Sequence, residues 1–158
     1  MGMLATQGTW TMTPWSAERI RDPAILVARI LLVLLFVVFG WSKLTSYSAT
    51  VGDMANIGAP IPSVAALVAI VVEFFIAFAV AFGAWTRPLA LLLALYTLGT
   101  ALIAHHFWTM DGDVRYENAI NFYKNISIIG GFLLLYVTGG GKYSVDAARL
   151  GSADPLLR

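Results

Sequence analysis

A few side chains in this sequence sit badly with their apolar surroundings, and together they suggest chemistry. Glu73 lies near the middle of residues 62–85, PSVAALVAIVVEFFIAFAVAFGAW, a run whose only other polar side chain before its last residues is Ser63. An ionised, unpaired acid at bilayer depth costs on the order of 2.5–3.5 kcal/mol or more. Glu73 must therefore be neutral, paired or facing water. Three cations are candidates to answer it. Arg29 and Lys43 share a helical stripe with Val33, Phe36 and Gly40, at steps of three and four. Lys124 flanks a second stripe made by Asn118, Asn121 and Asn125. Depth along the spans makes Arg29 or Lys124 the expected partner of Glu73. A pocket with more cations than acids, lined by amides, suits an anionic or carbonyl-bearing ligand, such as a quinone headgroup or a small oxyanion. The same residues also fit a simpler reading, a buried ion pair that fixes helix register without any chemistry.

Other chemistries are narrowed by what the chain lacks. It has no cysteine, which excludes thiol–disulfide exchange and thiolate-held metals or clusters within it. Its only histidines, His105 and His106, are adjacent. Neighbours on a helix point ~100° apart, so the two cannot readily share a ligand, and bis-histidine haem would need a third. Interfacial hydrogen bonding is the expectation for at least one; a proton-relay role rests only on imidazole titrating near neutrality. No metal site is expected. Asp111-Gly-Asp-Val resembles part of a calcium loop but lacks its spacing and closing glutamate, so it reads as a solvated turn. Phosphate-binding and nucleophile motifs are absent.

These residues need membrane helices to position them. The chain of 158 residues is 59% hydrophobic and 12% charged, against roughly 25% charged in soluble domains. Mean hydropathy is +0.78. A net charge of +1 gives no pull toward nucleic acid. About 20 apolar residues cross a bilayer, and four such runs stand out, at about 24–44, 62–85, 89–108 and 118–138. Residues 1–23 read as an N-terminal tail, with a short interfacial helix opening at Ser16, and not as a cleavable signal peptide. Pro23 suits the first turn of span one. Residues 45–61 and 109–117 read as loops, and 142–158 as a polar tail. The expected fold is an all-α, antiparallel, up-down-up-down four-helix membrane bundle, with a transmembrane domain over 24–141. Arg19, Arg21, Arg87, Lys142, Arg149 and Arg158 gather on the side of the termini, against Lys43 and Arg115 opposite. The positive-inside rule then makes both termini cytoplasmic. In span two the stripe Ala66, Ala69, Glu73, Ala77, Val80 and Ala84 is small enough for close helix approach.

The order of these pieces is itself informative. An arginine early in span one is followed by Gly40-Trp-Ser-Lys43 and a proline-rich loop. Glu73 is followed by Gly83-Ala-Trp-Thr-Arg87. His106-Phe-Trp ends span three. Asn121-Phe-Tyr-Lys124-Asn125, Gly130-Gly131 and Gly139-Gly-Gly-Lys-Tyr-Ser-Val-Asp146 complete the series. Over roughly residues 24–146 this resembles the DoxX family of four-span bacterial inner-membrane proteins. The resemblance implies a helical bundle in the cytoplasmic membrane. It implies association with respiratory or sulfur-oxidising membrane complexes, including a thiosulfate:quinone oxidoreductase subunit, or with oxidative-stress complexes. It carries over Arg29, Lys43, Glu73, His106, Asn121, Lys124 and Asn125 as polar-core positions and Arg87 as a topology anchor.

The expectation is thus an accessory subunit of a quinone-linked redox system, without independent catalytic activity. Quinone is the candidate cofactor, and other membrane or redox proteins, or further copies of this chain, are the candidate partners. A small-solute or proton-coupled transporter and a purely structural scaffold are the alternatives. No internal repeat favours the transporter.

Overall fold

A bilayer offers no water to backbone amides and carbonyls, so an apolar spanning segment must satisfy them internally, as a helix. In the computed structural model, which describes residues 14–153, all regular structure among the described residues is helical. Helix α1, Pro14–Thr45, is continuous, so the expected break between a surface helix and span one does not exist, and Pro23 lies inside the helix. Residues 1–13 of the expected tail fall outside the described residues. Helix α2, Tyr47–Asn56, replaces most of the expected first loop. Its Ser, Gly and Asn residues suggested turns, but the Thr50 side chain is buried and bonds back to the carbonyl of Ser46.

Span two is assembled from α3 (Pro62–Ile70), a π-helical turn (Val71–Ile76) and α4 (Ala77–Phe82). Gly83 and Trp85 then take left-handed backbone angles and turn the chain. Helix α5, Thr86–Ala104, starts and ends a few residues before the expected span, and a 3₁₀ turn follows at Phe107–Thr109. Helix α6, Gly112–Thr138, absorbs most of the expected second loop. The polar tail holds a last helix, α7, Val145–Ala153. Four of these stretches are long and apolar enough to cross a membrane: Arg19–Thr45, Pro62–Phe82, Thr86–Thr109 and Gly112–Thr138.

Packing divides the spans into two close pairs. Helix α1 lies along the whole of span two, α5 lies along α6, and contact between the pairs is sparser. The small-residue stripe explains the first pair: Ala66, Ala69, Ala77 and Val80 are buried. At Gly40 the two backbones nearly touch, since a Cβ there would stand 2.6 Å from the Glu73 carbonyl carbon. Phe36 of α1 meets Phe132 of α6 edge to face, with centroids 5.4 Å apart, and closes the core between the pairs. Large apolar side chains such as Leu31, Phe75, Leu95 and Leu134 point outward, as lipid contact demands.

The end of the bundle that carries the termini is tied by polar bonds. Asp146 accepts the Trp85 N–H at 2.7 Å, the Thr86 N–H at 2.8 Å and the Thr86 hydroxyl at 2.8 Å. It therefore caps α5 from a segment some sixty residues away in sequence. Burial pushes this carboxyl up, but the bonds from Thr86 and Trp85, with nearby Arg149, outweigh it and hold Asp146 below the ordinary carboxylate range. Asp22 of α1 accepts the Lys142 N–H at 3.1 Å.

Candidate functional site

Glu73 sits in the π turn and receives two donors. Lys43 Nζ donates to Oε2 at 2.6 Å and the Tyr96 hydroxyl donates to Oε1 at 2.6 Å. The partner is thus neither Arg29 nor Lys124. Register explains why. The close approach at Gly40 sets Glu73 opposite that point of α1, so Lys43, one turn on, can reach it. Arg29 is fourteen residues from Lys43 in the sequence, about 21 Å along the helix.

Arg29 belongs to the terminal end. It is 1% exposed, and its guanidinium donates to three backbone carbonyls: Ala81 at 3.1 Å, Gly140 at 2.5 Å and Tyr143 at 2.9 Å. Gly83 and Gly140 make room, for a Cβ at either would crowd Nη1 of Arg29. A planar fork of donors suits this clamp of carbonyls. Arg87 is exposed at the same end, close to Gly139.

A cavity of about 640 Å³ opens beside Glu73, between the two helix pairs and toward the end that carries α2. Its apolar wall includes Leu35, Phe39, Val64 and Val68. Its polar wall brings together Lys43, Glu73, Tyr96, His105, Asn121, Lys124 and Asn125. Of the residues expected from sequence, Lys43, Glu73, Asn121, Lys124 and Asn125 meet here; Arg29 and His106 do not. The His106 Nδ1 bonds instead to the Ile103 carbonyl at 2.8 Å, and its ring leans on Trp108. The neighbouring histidine takes its place. His105 Nδ1 lies 3.0 Å from Asn118 Oδ1, while the Asn118 amide donates to the Val114 carbonyl at 2.9 Å. With that amide orientation, Oδ1 accepts, Nδ1 of His105 carries the proton and Nε2 is left for another partner.

Lys124 donates to Asn121 Oδ1 at 2.7 Å, and Asn121 donates to the Glu117 carbonyl at 3.1 Å. Asn125 is 8% exposed, and among the described residues its side chain makes no hydrogen bond. Among the described residues no buried side-chain nitrogen or oxygen lacks a partner, so the unpaired amide of Asn125 is open to the cavity that it lines. Tyr96 was missed by sequence reasoning because it reads as part of an apolar span. The available signal was its place among hydroxyls at helical spacing, Tyr96, Thr97 and Thr100, all three on the cavity wall.

The DoxX family model matches residues 24–106, a range that holds Lys43, Glu73, Tyr96 and His105. The chain is 50% identical over 126 residues to the inner membrane protein YphA of Escherichia coli (strain K12), covering 80% of this chain and 90% of that protein. It is 40% identical over 129 residues to the inner membrane protein YqjF of the same strain, covering 82% and 94% respectively. No solved structure matches it. By this likeness and its four apolar spans, the chain belongs to the DoxX family and is a multi-pass inner-membrane protein.

Proposed function

We propose that the chain is a membrane subunit or accessory protein of a quinone-linked redox system, and that its cavity receives a carbonyl-bearing headgroup. The observation that carries this is Asn125. Its side chain has no hydrogen-bond partner among the described residues and opens onto the cavity, where a ligand carbonyl can accept from it. The apolar wall offers space for a ring or an isoprenoid tail, as mostly apolar sites with a few placed polar groups do. Glu73, held by Lys43 and Tyr96, fixes the polar wall without needing to react. Electrons would come from partner proteins, the chain itself having no cysteine to hold a cluster. The excess of basic residues at the terminal end supports termini in the cytoplasm and a cavity facing the outer side, with Arg87 as one of the anchors.

The test is gentle purification from the native membrane, followed by mass spectrometry of bound lipids and proteins. A quinone and a redox protein recovered with the chain are the expected result. Recovery of neither would overturn the reading. Reconstituted liposomes should show no solute or proton flux through the chain alone; flux that depends on Glu73 would favour a transporter instead.

A further inference from the structure

We infer that the cavity selects a quinone-type headgroup carrying one ionised ring oxygen over the neutral ring, an inference that rests on the quinone reading above. Charge is the first ground. The cavity wall holds two cations, Lys43 and Lys124, and one anion, Glu73. Glu73 is taken up by Lys43 and Tyr96. The side-chain partner of Lys124 is the neutral Asn121. One positive charge on this wall is therefore left without an acid to balance it.

Hydrogen-bonding capacity is the second ground, and it is independent of the first. Lys124 spends one of its three N–H groups on Asn121. The next residue, Asn125, is 8% exposed and spends none of its side-chain donors. Adjacent residues of α6 thus present spare N–H groups to one cavity. A neutral quinone carbonyl answers Asn125 but leaves the ammonium uncompensated. An ionised headgroup carries an oxygen for each: one carbonyl accepts from Asn125, and the ionised oxygen accepts from Lys124, where the bond is charge-assisted on both sides. His105 Nε2, an acceptor in the neutral ring, is available to a hydroxyl elsewhere on the headgroup. Lys124 is itself exposed, which limits the gain to about tenfold in affinity.

The experiment compares two probes on the full-length protein in lipid nanodiscs. One is 2-hydroxy-1,4-naphthoquinone, which is ionised at neutral pH; the other is 1,4-naphthoquinone, the same ring without the charge. The hydroxylated probe should bind about tenfold more tightly. Lys124→Gln should abolish most of that preference and Lys124→Arg should keep it, with both variants checked for wild-type thermal stability, as expected at an exposed position. Asn125→Leu should weaken both probes. Equal affinity for the two probes, or a preference that Lys124→Gln leaves unchanged, overturns the inference while the quinone reading stands. Failure of both probes to bind overturns that reading as well.

Discussion

The carboxylate of Glu73 is satisfied from two sides, by an ammonium on α1 and a phenol on α5. This sets a clear asymmetry between removing one partner and removing both. Glu73→Ala alone strands Lys43 in a partly buried place, whereas Glu73→Ala with Lys43→Met removes the pair. The single variant should be the less stable, by up to about 3–5 kcal/mol relative to wild type, as read by denaturant titration in micelles. Equal loss in both constructs would mean that the pair is not the anchor of this wall. That Glu73 needs a partner was legible in the sequence, because an acid in an apolar run has to be answered. Which cation answers it was not. Pairing depends on the axial register of two helices, and depth counted from span ends misjudged it by several turns when it favoured Arg29. The choice of His106 over His105 failed for a related reason: α5 ends at Ala104, so the two rings leave a turn and not a helix.

At the level of elements, the contact between α1 and the π turn leaves no room for a side chain at Gly40, where a Cβ would meet backbone atoms at 2.6–2.8 Å. Gly40→Ala should therefore cost about 1–3 kcal/mol through overpacking. Gly130→Ala, which meets only open space, should be neutral or slightly stabilising, since alanine is the better helix former. Thermal denaturation of the two variants in the same detergent checks the contrast. The four spans and the small-residue stripe of span two could be read from hydropathy and spacing. The π turn could not: one residue added to a helical turn leaves the apolar pattern of Val71–Ile76 unchanged. Such turns recur at functional sites, and here one carries the acid. Helix α2 escaped notice because its polar residues are also good turn formers, and its packing against α3 decides the matter.

On the scale of the whole molecule, the absence of cysteine makes orientation directly measurable. Single cysteines at Ser48, in α2, and at Lys142, near the termini, lie at opposite ends and are exposed. An impermeant thiol reagent applied to intact cells should label Ser48→Cys and should reach Lys142→Cys only after permeabilisation. The reverse pattern would invert the proposed topology. The terminal end also has a pH signature. The folded carboxyl of Asp146 lies below its unfolded value, which is near 3.9. Its contribution to stability is therefore complete above about pH 4 and is lost as the pH falls through the folded value. Melting temperature should drop more steeply below about pH 4 in the wild type than in Asp146→Asn. The clamp around Arg29 has a consequence for biogenesis. Its carbonyl partners lie 52, 111 and 114 residues further along the chain. Synthesis runs from the N-terminus, so the first span enters the bilayer with a guanidinium whose last partners are still to be translated. A chain stopped at Thr138 would have all four spans but only the Ala81 carbonyl of the three that hold Arg29. The clamp is therefore complete only once the chain has been made as far as Tyr143, so it ties the first span to the last segment and not to its nearest neighbour alone.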